Sequence, residues 1–221
     1  MDDLTACCAE IITGLYKNGS AQQQELVGNL FGLHQAEEWY EIYFHWYNVI
    51  HELGHALIAW NMEQRPTPVE EEQLVNDFAM AYWRYYGEEE KLSLLEKIVS
   101  DTLPRFTRPA AEGVGHLDYA NENWGKEGFY TFNNYGWFQF NCVAAALEKQ
   151  TSLMIVLQRM GGVHLEAQPK ETLHYIPDER LAATVIEDAA PLMVEWGMKV
   201  PVVRLAYSND LNEHMCNIVP L

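Results

Sequence analysis

Asn48-Val49-Ile50-His51-Glu52-Leu53-Gly54-His55-Ala56-Leu57 is the stretch around which the rest of the chain is organised. On a helix, residues four apart lie on one face, one turn up from each other. His51 and His55 can therefore hold one zinc ion between their imidazoles. Glu52 sits about 100° round the helix at ~3.6 residues per turn. Its carboxylate falls beside the metal, where it can take a proton from a zinc-bound water. Val49, Leu53, Ala56 and Leu57 are uncharged, so the helix can be buried around its one polar cluster. Gly54 lets another backbone approach closely, at a helix-propensity cost of about 1 kcal/mol against alanine.

A shuffled chain with 8 His and 24 Glu in 221 residues holds one His-Glu-x-x-His in about 3% of cases. The motif therefore needs a third ligand beside it, because catalytic zinc sites use three protein ligands plus water. After Arg65-Pro66-Thr67-Pro68 comes Glu70-Glu71-Glu72-Gln73-Leu74-Val75-Asn76-Asp77-Phe78-Ala79-Met80-Ala81-Tyr82-Trp83. Leu74, Val75, Phe78, Ala79, Tyr82 and Trp83 follow a helical period. Glu72, Asn76 and Ala79 share one stripe of that helix.

His51-Glu52-Leu53-Gly54-His55 followed by Glu72-x-x-x-Asn76-x-Phe78-Ala79 resembles the gluzincin metallopeptidases. Within them it is most similar to the ImmA/IrrE-like group, over roughly residues 48 to 83. The resemblance implies zinc on His51, His55 and Glu72, Glu52 as catalytic base, and Asn76 as a supporting residue. It also implies a peptide or protein substrate. Glu70 and Glu71 are rival ligand candidates, read as charges favoured at a helix N-terminus. Helix geometry separates them further. Glu72 extends the apolar stripe by one turn, Glu71 comes near it, and Glu70 lies about 200° from Glu72.

A net charge of −18 argues against nucleic acid or an anionic membrane as partner, since both need a basic footprint. With 48% hydrophobic and 21% charged residues, the composition is that of a globular protein. No apolar run reaches the length of a membrane span, and the acidic start Met1-Asp2-Asp3 is unlike a secretory leader. The cysteines Cys7, Cys8, Cys142 and Cys216 form neither a CxxC pair nor a disulfide framework, so a cytoplasmic location is expected.

The dominant 3.6-residue period predicts a mainly α, compact helical zincin-like domain with at most a small β element. Residues 4 to 17 read as an amphipathic helix, and Gln22 to Leu33 as another with Ser20 as N-cap. Ala36 to Asn48, dense in aromatics, reads as a helix running into the His51 helix. The ImmA/IrrE-like pattern instead places a small sheet there. If the helix is continuous, His45 lies seven residues before Glu52 on the same side, where it could support the site or face substrate, although a histidine so placed is more often simply packed. Further helices are expected over Lys91–Leu103, from about Asn133 to Lys149, over Thr151–Met160, and from an Asp178 cap to Trp196. Residues 104 to 128 read as a long loop bordering the zinc cleft. Gly161-Gly162 divides a zinc-bearing domain (1–162) from a C-terminal helical extension (163–221) packed on the same body. In that extension 163 to 176 is irregular and Val200–Leu205 is β-type. The histidines His164, His174 and His214 read as surface or packed residues.

The expected activity is zinc-dependent hydrolysis of a peptide bond. Tyr135, Tyr130, His116 and His45 are candidate donors to the oxyanion. The competing expectations are a regulatory or scaffold protein with a peptidase-like metal site, and a helical structural domain with an accidental motif.

Overall fold

The computed structural model describes residues 8–162, 172–208 and 218–220. Cys7, Cys216, His164 and His214, with residues 163–171 of the stretch expected to be irregular over 163–176, lie outside the described residues. The elements run β1 (Cys8–Thr13), α1 (Ala21–Phe31), α2 (Ala36–Tyr40), α3 (Asn48–Asn61), α4 (Pro68–Tyr86) and α5 (Glu89–Thr102). They continue with α6 (His116–Asn123), α7 (Phe132–Glu148), α8 (Leu153–Arg159), α9 (Leu181–Glu195), β2 (Val202–Tyr207) and β3 (Ile218–Pro220). The domain is mainly α, with one small three-stranded sheet.

Helix α4 is the axis of the core. From Val69 to Tyr86 it is buried on nearly every side, so its apolar residues do not confine themselves to one stripe. Its start is specified locally. Thr67 accepts from the Glu70 N–H, the Glu70 carboxylate accepts from the Thr67 N–H, and Pro68 occupies the first turn. Buried Asp77 is held by Lys149 at 2.8 and 3.0 Å and by Arg159 at 3.4 Å, which ties α4 to the ends of α7 and α8.

Helix α3 lies against α4 at Gly54. A methyl group there would sit 3.0 Å from both Val75 Cγ1 and Phe78 Cδ1, so the glycine is what permits this approach. The stretch before α3 is helical throughout, but Glu41–Tyr47 is wound as a π-helix. This wider winding carries aromatics in the core: Trp46 stacks on Trp83 (4.1 Å) and Tyr43 on Phe140 (4.5 Å).

Two expectations are corrected. The segment expected as a helix over 4 to 17 contains the central strand β1. Ala9, Ile11 and Thr13 are buried alternately, the two-residue period of a strand. β1 pairs in parallel with β2 (Ile11 opposite Leu205) and antiparallel with β3 (Ile11 opposite Ile218). The expected loop over 104 to 128 contains α6, closed by the aromatic cluster of Val69, Ala120, Phe129, Tyr135, Phe138 and Cys142.

Helix α9 begins at Leu181, after Arg180, rather than at Asp178. The Asp178 side chain accepts from the Arg180 N–H and makes the turn before it. Val185, Ile186, Ala189 and Met193 of α9 join the same core as α3 and α4. Among the described residues no helix is long and apolar enough to cross a membrane.

Candidate metal centre

His51 and His55 are one turn apart on α3, and both direct Nε2 towards Glu72 of α4. His51 Nε2 lies 3.4 Å from Glu72 Oε2, and His55 Nε2 lies 3.7 Å from Glu72 Oε1. Ligand atoms of the three residues fall within 4.8 Å of one another. The expected set thus converges from two helices, brought together by the contact at Gly54.

The donor set fits a zinc ion. Two imidazole nitrogens and one carboxylate oxygen are the chemistry of a three-ligand site with an open position. Bonds of about 2.0–2.1 Å at tetrahedral angles place donor atoms roughly 3.3 Å apart, and each histidine stands 3.4 or 3.7 Å from a Glu72 oxygen. The charge also fits. Glu72 is 6% exposed, and among the described residues no lysine or arginine pairs with it. Buried carboxylates are normally paired or bound to metal. Burial works to raise its pKa, but the imidazoles of His55 and His51 outweigh burial and hold the carboxyl well below its usual range.

His55 is gripped from both sides. Its Nδ1–H donates to Glu71 Oε1 at 2.8 Å, while Nε2 faces Glu72. Arg65, in the connection between α3 and α4, holds Glu71 in turn, its Nε 3.0 Å from Oε2 and Nη2 on Oε1. Burial disfavours the charged imidazole of His55, yet Glu72 and Glu71 prevail and raise its pKa to about 10. Burial likewise acts to raise the Glu71 carboxyl, and its bonds to His55 and Arg65 bring it below the ordinary value. His51 Nδ1 is buried with no hydrogen-bond partner among the described residues, so its ring is oriented by packing and by Glu72.

Glu71 is therefore not a solvated helix-terminal charge but a buried acceptor for the metal-site histidine. Such a partner fixes which nitrogen of the imidazole is free and raises its basicity. Glu70 does behave as a helix-terminal charge, exposed and paired with Thr67. Glu52 is half-buried, and its Oε1 accepts from Asn48 Nδ2 at 3.2 Å, one turn back on α3.

Helix α7 supplies contacts that the sequence did not assign. Tyr135 O–H donates to Glu72 Oε1 at 3.1 Å, and Gln139 Nε2 donates to Glu72 Oε2 at 2.7 Å. Asn76 reaches the same group from α4, donating from Nδ2 to the Glu72 carbonyl at 2.8 Å and to Gln139 Oε1 at 3.3 Å. Tyr135 and Gln139 stand four apart, a spacing visible in the sequence, though not its target.

Of the other donor candidates, Tyr130 lies beside Tyr135, ring centroids 5.9 Å apart, while His45 and His116 have other partners. His45 is buried, donating from Nε2 to the Gly14 carbonyl (2.8 Å) and pairing through Nδ1 with Glu41. Tyr130 O accepts from the Gly125 N–H, and His116 packs against Phe138. Burial, with Glu72 nearby, pushes the Cys142 thiol well up. No family model, curated protein or solved structure matches this chain.

Proposed function

We propose that the chain is a zinc-dependent metallohydrolase of gluzincin type, akin to the ImmA/IrrE-like group, that cleaves a peptide or protein substrate. The observation carrying the proposal is the convergence of His51, His55 and Glu72, at 3.4 and 3.7 Å, beside a half-buried Glu52. A bound zinc would supply Lewis acidity, polarising a carbonyl and lowering the pKa of a coordinated water. The other steps belong to the chain itself.

Glu52 is the general base. Asn48 donates to its Oε1 and steadies the carboxylate, which takes the proton and later returns it to the leaving amine. His55 must be neutral to act as a ligand, and Glu71 then holds the remaining proton on Nδ1, leaving Nε2 as the donor atom. Glu72 brings the anionic charge that offsets a divalent ion. The acidic net charge supports a substrate other than nucleic acid or an anionic membrane, and the cysteine spacing supports a reducing cytoplasm.

The test is a Glu52→Gln variant. Parent and variant should each bind one zinc, and only the zinc-loaded parent should cleave a proteome-derived peptide library. If both bind zinc and neither cleaves, the chain is a metal-binding regulatory or scaffold protein. A parent that takes up no zinc removes the proposal altogether.

A further inference from the structure

A buried carboxylate offers about four lone-pair sites, and its two oxygens can swing between one-atom and two-atom contact with a metal. In this molecule that freedom is removed from one side. Gln139 Nε2 sits 2.7 Å from Glu72 Oε2, and Tyr135 O–H sits 3.1 Å from Oε1. Each oxygen then keeps a face for the histidines, His51 at Oε2 and His55 at Oε1.

The polarity of these bonds is fixed link by link. An ionised carboxylate only accepts, so Gln139 must present its NH2 group to Glu72. Its Oε1 then faces Asn76, which must present Nδ2. Asn76 Nδ2 also meets the Glu72 carbonyl, an obligate acceptor, so the same orientation is required twice. Asn76 Oδ1 is left to accept from Tyr47 O–H at 2.9 Å. The second hydrogen of Gln139 Nε2 goes to Tyr135 O at 2.8 Å. A one-way chain of donors thus runs from Tyr47, at the end of the π-helical segment, through Asn76 and Gln139, and terminates on Glu72. Reversing either amide would place oxygen against oxygen.

We propose that Tyr135 and Gln139 are positioning residues that lock the Glu72 carboxylate in its metal-binding orientation. This rests on the zinc assignment above. A mere staple between α4 and α7 would contribute to melting temperature but would leave the zinc affinity of the folded protein unchanged. Positioning residues around metal ligands change the affinity itself, typically ten- to a hundredfold.

The experiment measures zinc affinity by competition with a chromophoric chelator, in buffer where circular dichroism shows parent and variants equally folded. Gln139→Met keeps the length of the side chain and removes the donor. Tyr135→Phe keeps the ring in its aromatic cluster and removes the hydroxyl. Zinc should bind about ten- to a hundredfold more weakly to Gln139→Met and about tenfold more weakly to Tyr135→Phe. The visible spectrum of the cobalt(II) form should change in both, because the carboxylate is free to alter its mode of contact. If Gln139→Met does not fold, Tyr135→Phe decides by the same readouts. A parent that binds one zinc, with folded variants within about twofold of it, overturns the positioning role alone. A parent that binds no zinc overturns the metal assignment and this role with it.

Discussion

Replacing Gly54 by alanine tests the contact that brings the two halves of the metal centre together. Taken alone, the change favours the helix by up to about 1 kcal/mol. The surroundings oppose it. The new methyl carbon would stand 3.0 Å from Val75 Cγ1, 3.1 Å from Val75 Cβ and 3.0 Å from Phe78 Cδ1. Carbon atoms prefer about 3.5–4.0 Å, so roughly half an ångström must be found. Val75 cannot supply it by turning, because its Cβ is itself in contact and a β-branched side chain in a helix has one strongly preferred rotamer. Val75 and Phe78 are both fully buried, so neither has open space beside it. Overpacking of this kind costs about 1–3 kcal/mol.

The net expectation is a loss of about 1–2 kcal/mol, because the fixed Val75 puts the cost towards the upper end. For a chain of this size that lowers the melting temperature by about 2–8 °C. The assay is a thermal melt followed by circular dichroism in the presence of a chelator, so that metal does not contribute. Any relief by separation of α3 from α4 also draws His51 and His55 from Glu72, so zinc affinity should fall with stability. A melting temperature equal to or above that of the parent would refute the close approach, and with it this account of how the ligands are brought together.

Further outcomes follow from the same geometry. Glu71→Gln removes the anionic acceptor from His55 Nδ1 and should weaken zinc binding about tenfold by chelator competition; unchanged affinity would refute its supporting role. Glu72→Ala should abolish stoichiometric zinc, whereas Glu70→Ala should leave it unchanged; the reverse result would move the ligand to the wrong face of α4. In the metal-free protein His55 is raised from 6.5 to about 10, so its stabilisation is complete below pH 6.5 and lost as pH rises through about 10. Glu71 is lowered, so its stabilisation is present above about pH 4.5 and lost as pH falls through its folded value. Denaturant melts with chelator should therefore show decreasing stability from pH 7 to 10, and an increase would contradict the assignment. Zinc must displace the His55 proton, so its affinity should climb about tenfold per pH unit between pH 7 and 9.

The elements that the sequence made legible are those specified by local rules. Ser20, read as an N-cap, does start α1 through a capping box, and the apolar period of 3.6 found the buried helices. The first strand escaped because its partners are remote. Ile11 faces Leu205 and Ile218, neither of which its own neighbourhood in sequence announces. Six residues of Cys8–Thr13 fit an apolar helix as well as a strand until those partners are in place. His45 is a packed histidine rather than a group at the cleft, and the winding of its helix explains why. An α-helical count puts it on the side of Glu52, but residues 41–47 take the wider π winding, and the phase between the two positions is lost. The ring instead fastens the helix to the end of β1 through Gly14.

At the candidate metal site the same helical arithmetic turns Glu72 towards His51 and His55 but leaves Glu71 as a solvated charge, where the structure instead buries it against His55, and both outcomes have one cause. Successive residues on α4 are about 100° apart, so Glu71 and Glu72 leave the helix in different directions. Glu72 reaches the Nε2 side of His55, while Glu71, equally buried, reaches the Nδ1 side. The two nitrogens of one imidazole point in different directions, so adjacent glutamates can serve it from opposite flanks only when the ring projects between them. That condition depends on the distance between α3 and α4, which Gly54 sets and which no pattern along α4 alone reveals. Gln139 and Tyr135 required still more, namely that α7 cross α4 beside Glu72. Sequence period can therefore assign a ligand to a face, but the groups that fix its orientation come from the packing of a third helix.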